Sequence, residues 1–238
     1  MPTALILGSS GTLGSAIAAE LHARGYTLGL HYNSRKEPCE TLLQRAPDAA
    51  LFQANFNDPA AAAQLAAAVT QRFQRLDALV WACGIVKDSP LVSQPESGLR
   101  EVVITNLRGF FLVLKAFSRL FIKQKSGSVL ALSSHAALAG RAGGTAYAMA
   151  HSGLISLVKS AAREWGPLGV RVNAVLPPFV AGSGMGRAAS PEFIESAKHK
   201  RVLKTECDAP ASFAKFATGV LENPLISGQI LSADSRIA

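Results

Sequence analysis

Near the start of the chain, Gly8-Ser9-Ser10-Gly11-Thr12-Leu13-Gly14 carries glycines at a spacing suited to holding an anion. Glycine lets backbone approach a pyrophosphate closely, and a helix opening directly after such a turn points its free amides and positive dipole end at the charge. The spacing is G-x-x-G-x-x-G, which differs from G-x-G-x-x-G and lacks the Gly-Lys-Ser/Thr of a nucleotide-hydrolysing loop. A second place of interest is His31-Tyr32-Asn33-Ser34-Arg35-Lys36, where no carboxylate precedes Glu37. An acid there would hold the ribose 2′-hydroxyl of NAD. Arg35 offers a planar fork instead, with Asn33 and Ser34 as neutral donors, and this set suits the 2′-phosphate of NADP. Lys36 reads as an exposed turn residue. The third place is Ser134, with Tyr147 thirteen residues later and His151 one helical turn beyond that.

These residues need elements to position them, and the pattern supplies strands alternating with helices. Thr3 to Leu7, Tyr26 to His31, Leu51 to Ala54, Ala78 to Ala82, Ser128 to Leu132, Arg171 to Val175 and Gln229 to Ser232 read as strands. Ser15 to Arg24, Pro59 to Arg75, a long Ser97 to Phe121 and Ala146 to Trp165 read as helices. Six or seven strands with helical crossovers predict an α/β protein, a single-domain Rossmann fold whose doubly wound parallel sheet has helices on both faces. The glycine turn then falls between the first strand and first helix, Ser134 just past a strand, and Tyr147 inside a helix. No repeat, low-complexity tract or linker divides residues 1–238. The irregular stretch from Pro177 to Pro191, with glycines at 182, 184 and 186, suggests a flap over a site, spanning about 177–205.

With these residues in place the chain resembles the short-chain dehydrogenase/reductase family, and within it the 3-oxoacyl-carrier-protein reductases. The resemblance runs nearly end to end, from the glycine turn through Asn106, Ser134 and Tyr147 to Asn173-Ala-Val-Leu-Pro177 and Ser227-Gly228-Gln229-Ile230-Leu231. It implies hydride transfer from a nicotinamide to a carbonyl. Tyr147 would donate the proton, Ser134 would hold the carbonyl oxygen and Asn106 would serve a proton relay, which is general acid catalysis with oxyanion stabilisation. It also implies NADP(H) contacts at Gly8, Ser10, Gly11, Leu13, Gly14, Asn33, Ser34, Arg35, Asn55, Phe56, Gly84, Pro177 and Val180. The substrate class it suggests is a small-molecule or carrier-bound carbonyl, such as a 3-oxoacyl thioester on a carrier protein or CoA.

The chain departs from the family pattern at several points. Tyr-x-x-x-Lys is Tyr147-Ala-Met-Ala-His151; Asn-Asn-Ala-Gly is Trp81-Ala82-Cys83-Gly84; Pro-Gly is Pro177-Pro178. The Asp at the adenine edge is Asn55, the threonine near the nicotinamide amide falls at Gly182 or Ser183, and the terminal Asp-Gly-Gly is Asp234-Ser235-Arg236. The lysine matters most, since an ammonium beside a tyrosine lowers a phenol pKa from its reference value near 10. A histidine, with a reference near 6.5, is mostly neutral at pH 7. His151 either bonds the ribose through a ring N–H or is a packed remnant. The matching alternative at the level of function is a catalytically impaired member that binds nucleotide or supports an active partner subunit.

Composition bounds the rest. The 238 residues, 49% hydrophobic and 17% charged, suit one buried core. No apolar run nears the roughly 18 residues of a membrane span, and Cys39, Cys83 and Cys207 lie far apart without a Cys-x-x-Cys pair. These features predict a cytoplasmic protein in a reducing compartment, with neither membrane nor metal. The net charge of +8 is concentrated between Glu101 and Glu164, where Arg108, Lys115, Arg119, Lys123, Lys125, Arg141, Lys159 and Arg163 face no acid in sequence. Aromatics are only 7%, and no basic run with interleaved aromatics appears, so an anionic cofactor, acyl thioester or acidic protein is expected rather than nucleic acid. Lys123 and Lys125 are the expected docking points for an acyl carrier protein. Phe110, Phe111, Leu114, Leu154 and Leu157 read as apolar surface for a homo- or hetero-oligomer with related subunits.

Overall fold

In the computed structural model, which describes residues 1–181, 186, 191–203 and 209–236 without the side chain of Phe193, seven parallel strands form one sheet. The strands are β1 (Thr3–Leu7), β2 (Thr27–Tyr32), β3 (Ala50–Gln53), β4 (Ala78–Trp81), β5 (Gly127–Leu132), β6 (Val170–Leu176) and β7 (Ile230–Ser232). Their order is β3-β2-β1-β4-β5-β6-β7. Strand order reverses between β1 and β4, so the crevice beyond their carboxyl ends is the switch point at which α/β sheets bind ligands.

Alternation along the strands sorts the core into two layers. Leu5, Leu7, Leu79, Trp81, Val129, Ala131, Val172 and Ala174 face one way; Ala4, Ile6, Leu28, Leu30, Val80, Leu130 and Val175 face the other. The first layer is covered by α3 (Ala61–Phe73), α5 (Gly109–Gln124) and α7 (Thr145–Trp165), through Leu65, Val69, Phe117, Phe121, Leu154 and Val158. The second is covered by α1 (Thr12–Ala23) and a C-terminal helix over Ala209–Glu222, through Ile17, Leu21, Phe213, Ala217 and Leu221.

Sequence and structure differ in three places. The expected long helix Ser97 to Phe121 is broken into α4 (Glu96–Val103), one π turn (Ile104–Arg108) and α5. The cause lies with Asn106, fully buried within that turn: its Nδ2 donates to Ile85 O at 2.9 Å and its Oδ1 accepts from Ile85 N–H at 2.8 Å. Widening the helix by one residue turns this amide inward onto an otherwise unpaired loop backbone. Second, α2 (Glu37–Arg45), α8 (Pro191–His199) and α9 (Ala209–Glu222) fall outside the elements expected, as does the short α6 (Ala136–Ala139). Third, the apolar surface read on two helices is largely core. Phe110 and Leu154 are fully buried, Leu114 nearly so and Leu157 partly buried within the chain's own fold, which leaves Phe111 exposed. Of the flap expected over 177–205, Pro177 to Ala181, Gly186 and 191–203 are described; Gly182, Ser183, Gly184 and also Cys207 lie outside the described residues.

Candidate active site

Two groups of residues meet along the carboxyl edge of the sheet. At the end of β1 the chain turns through Gly8, whose φ of +86° and close approach to β4 exclude a side chain: a Cβ would sit 2.7 Å from Ala82 O. At Gly14 a Cβ would lie 2.2 Å from Gly8 O, so α1 packs against the turn only with glycine there. The first intrahelical bond runs from Ser15 N–H to Gly11 O, no side chain caps the helix, and its first turn holds no acid. The amides of Thr12, Leu13 and Gly14 therefore stay available to an anion. Arg35, exposed at the end of β2, donates from Nη2 to Ser10 O at 3.2 Å and so stands over the same turn. Asn33 and Ser34 are exposed beside it, while Lys36 pairs with Glu40 at 2.9 Å on the surface.

Beneath the turn lies a residue that in sequence is one member of a polar stretch. His31 is 2% exposed; its Nδ1 accepts from Gly8 N–H at 3.0 Å and its Nε2 faces Ala54 O at 3.0 Å. Because Nδ1 must accept, the proton resides on Nε2, which donates to Ala54 O. Burial pushes the ring to about 4, so it is neutral at pH 7. It stacks on Phe56, at 5.0 Å between centroids, and Phe56 continues to Trp81 at 5.1 Å and Trp81 to Phe110 at 5.5 Å. That column accounts for the Trp81 departure: the indole fills the layer beneath the ends of β3 and β4, and Gly109 leaves room for it, since a Cβ there would touch its ring at 3.1 Å. Asn55 is exposed at the top of β3, with its Oδ1 taken by Asn57 N–H at 3.1 Å.

The second group follows β5. Ser134 and Tyr147 come together: the serine hydroxyl accepts from Ala136 N–H at 3.2 Å and lies near enough to the phenol to lower its pKa. Burial raises the Tyr147 pKa above its ordinary value of 10, while the nearby Ser134 hydroxyl and the Arg141 guanidinium pull it back. His151 lies one turn along α7 with its ring centroid 4.2 Å from that of Tyr147. It is 3% exposed, burial pushes it to about 4, and neither ring nitrogen has a hydrogen-bond partner among the described residues. Two unpaired nitrogens of a neutral buried ring are costly to keep, and a ligand hydroxyl would relieve that cost. Asn106 sits across from Gly84, where a Cβ would come 3.7 Å from Asn106 Oδ1, and its side chain positions the Gly84-Ile85 backbone. Pro177 and Val180, half-buried, continue from the end of β6 toward Gly186. Asn173 ties that edge to the tail, donating to Ile226 O at 2.8 Å and accepting from Gln229 N–H at 3.0 Å. Lys123 and Lys125 are exposed before β5 begins, at the opposite edge of the sheet from Ser134. Among the described residues no group of three His, Cys, Asp or Glu could hold a metal, and no helix is long and apolar enough to cross a membrane.

A Rossmann sheet with a glycine turn at its switch point and a Ser-Tyr pair past β5 defines a class, and the whole-chain comparison agrees with it. Residues 8–235 match the family model described as Enoyl-(Acyl carrier protein) reductase, and the chain belongs to that family, within the short-chain dehydrogenase/reductase oxidoreductases. Among individual proteins, it is 34% identical over 197 residues to the 3-oxoacyl-[acyl-carrier-protein] reductase FabG of Staphylococcus aureus, covering 81% of this chain and 80% of that one. It is likewise 34% identical over 182 residues to the 3-oxoacyl-[acyl-carrier-protein] reductase of a Synechocystis species, covering 75% and 74%. The solved structure of gox2181 superposes with a TM-score of 0.91 at 21% identity, over 98% of this chain and 94% of that one, which speaks to fold alone.

Proposed function

We propose that this chain is an NADPH-dependent reductase of a carbonyl substrate, a 3-oxoacyl thioester on a carrier protein or CoA. The observation that carries the reading is the meeting of Ser134 and Tyr147, close enough for the serine to lower the phenol's pKa, on the carboxyl edge that also holds the glycine turn. When bound, a reduced nicotinamide supplies hydride to the carbonyl carbon. Ser134 holds the carbonyl oxygen, and Tyr147 gives that oxygen its proton from the phenol, so charge developing on oxygen is met by donors already in place. Asn106 keeps the Gly84-Ile85 backbone in position beside the pair. Gly8, Ser10, Gly11, Leu13 and Gly14 receive the pyrophosphate; Asn33, Ser34 and Arg35 the 2′-phosphate; Asn55 and Phe56 the adenosine side; Gly84, Pro177 and Val180 the nicotinamide side. The Staphylococcus aureus and Synechocystis relatives are 3-oxoacyl-[acyl-carrier-protein] reductases, which supports the substrate class.

One observation favours the alternative, a nucleotide-binding partner subunit that does not turn over: His151 is buried and neutral where the family places a cation. Titrating NADPH by fluorescence and then following its absorbance with a short 3-oxoacyl thioester separates the two. The reductase reading expects steady oxidation of NADPH, lowered about 10²–10⁴-fold in Tyr147→Phe with cofactor binding retained. NADPH binding without turnover of any carbonyl would leave the partner-subunit reading. Two assembly features belong to the same reading. Exposed Phe111 on α5 and Met149 on α7 form part of a surface for a second copy or a related subunit. Lys123 and Lys125 steer an acidic carrier toward the assembly, so reversing both charges should slow a carrier-bound substrate, most at low salt, and spare a small thioester.

A further inference from the structure

The ion pair of Arg141 and Asp88 lies directly over the candidate acid, and from its placement we propose that Arg141 is the fixed cation that sets the proton affinity of Tyr147, with Asp88 as the residue that positions it. The inference deepens the reading of Tyr147 as proton donor and rests on it. Arg141 comes from the turn between α6 and α7, Asp88 from the loop after β4, and the two loops are also joined by Ser89 N–H donating to Gly143 O at 2.8 Å. The Arg141 guanidinium stands over the Tyr147 ring at 5.9 Å from its centroid, within cation–π range. It also lies across Gly144: a Cβ there would come 2.7 Å from Arg141 Nε and 2.9 Å from Nη2, so a side chain at 144 would displace the guanidinium.

The titratable and charged groups about Tyr147 are few. From α7 comes His151, neutral above about pH 4; from the α6–α7 turn comes Arg141; from the loop after β4 comes Asp88. Arg141 lowers and Asp88 raises the phenol's proton affinity, and no other charged side chain among the described residues acts on it. A guanidinium is charged at every working pH and its plane lies well over an aromatic face, so it replaces an ammonium without needing the buried position that His151 occupies.

The test reads Tyr147 itself. The chain has 3 tyrosines, so ring-labelled tyrosine resonances resolve by NMR and Tyr147→Phe assigns the one of interest. Arg141→Met should move the Tyr147 titration upward, Asp88→Asn should move it downward, and Arg141→Lys should restore most of the loss. Gly144→Ala, which keeps every charge and adopts an ordinary backbone angle, should shift it in the direction of Arg141→Met. Upward shifts in Arg141→Met and Gly144→Ala with a downward shift in Asp88→Asn support the proposal even if no carbonyl is reduced, in which case the reductase reading fails alone. An unchanged Tyr147 titration in folded Arg141→Met, or shifts in one direction for both partners of the ion pair, would overturn it. In an active enzyme the pH profile of kcat should move with the resonance, whereas a merely structural ion pair would change stability and leave that profile in place.

Discussion

Two histidines lie beneath the carboxyl edge of this sheet, one on each side of the switch point, and they are opposites in everything but burial. His31, under the glycine turn, has both ring nitrogens in use and holds three strand ends together through Gly8 and Ala54. His151, under Tyr147, has neither nitrogen in use among the described residues. Both are held near 4 by burial, so a shared pKa says nothing about a shared role. A satisfied buried polar group helps to specify structure, while an unsatisfied one costs stability until a partner reaches it. In the proposed reductase, the His31 ring beneath the glycine turn is fully paired, while the His151 ring beneath the Ser134–Tyr147 side keeps its hydrogen-bonding capacity open.

The largest effect expected from this pair is in acid. An unfolded histidine takes a proton near 6.5, and these two refuse it until about 4, so the stability contributed by the neutral rings is whole above pH 6.5 and is lost as pH falls through that window. At about 1.4 kcal/mol per unit, each ring accounts for about 3 kcal/mol. Denaturant unfolding at pH 7 and pH 4.5 should show the loss, and His31→Leu and His151→Leu should each flatten the slope by similar amounts. An unflattened slope in either variant would remove that ring from the comparison.

At neutral pH the two replacements should part. His31→Leu leaves the part-buried Gly8 N–H and the buried Ala54 O without partners, which costs about 2–5 kcal/mol for two such groups and loosens the glycine turn. His151→Leu removes two unpaired nitrogens from an apolar setting and should lie within about 1 kcal/mol of the parent or above it. Thermal unfolding of the two variants reads this directly. Equal destabilisation would mean that the His151 nitrogens are satisfied in solution.

A smaller effect belongs to the rim of the platform. Arg35→Ala should weaken NADPH by about 1.5–3 kcal/mol, the worth of a charge-assisted bond, while leaving NADH where it is. Fluorescence titration of both cofactors checks it; a parent that binds the two equally would remove Arg35 from the 2′-phosphate.

The two sides also differ in how much of them the sequence discloses. The glycine turn and the strands that flank it are local signals, and β1, β4 and β5 fall within a residue of the apolar runs that announce them. His31 is not legible in that way, because a histidine in a polar stretch becomes a buried strut only when β3 brings Ala54 to its far side. The π turn at Asn106 is equally non-local, since nothing in Ile104 to Arg108 departs from a helical pattern until Ile85 presents an unpaired backbone. The C-terminal helix was open to reading: Phe213, Ala217, Val220 and Leu221 recur at helical spacing. Arg141 shows the reverse limit. In sequence it is one basic residue among many, and only the fold sets it over the Tyr147 ring.

The smallest effect expected is at His151→Lys, and its size sharpens the contrast most. Were the site lacking any cation, an ammonium one turn from the phenol should raise the rate strongly, as a lower pKa makes Tyr147 a better acid. With Arg141 already over the ring, the gain should be only severalfold, on the order of 1 kcal/mol, and partly offset because a lysine entering a site 3% exposed is itself pushed toward its neutral form. The parent's rate should show no break near pH 6.5, since the imidazole does not titrate there. Initial rates of NADPH oxidation from pH 5.5 to 8.5, in the parent and His151→Lys, with and without Arg141→Met, decide the matter. The lysine should help far more when Arg141 is absent, for then it is the sole cation beside the phenol. Equal gains in both backgrounds would show that the two positions act independently, and a loss of turnover with NADPH still bound would show that the imidazole nitrogens themselves serve the reactive half of the site.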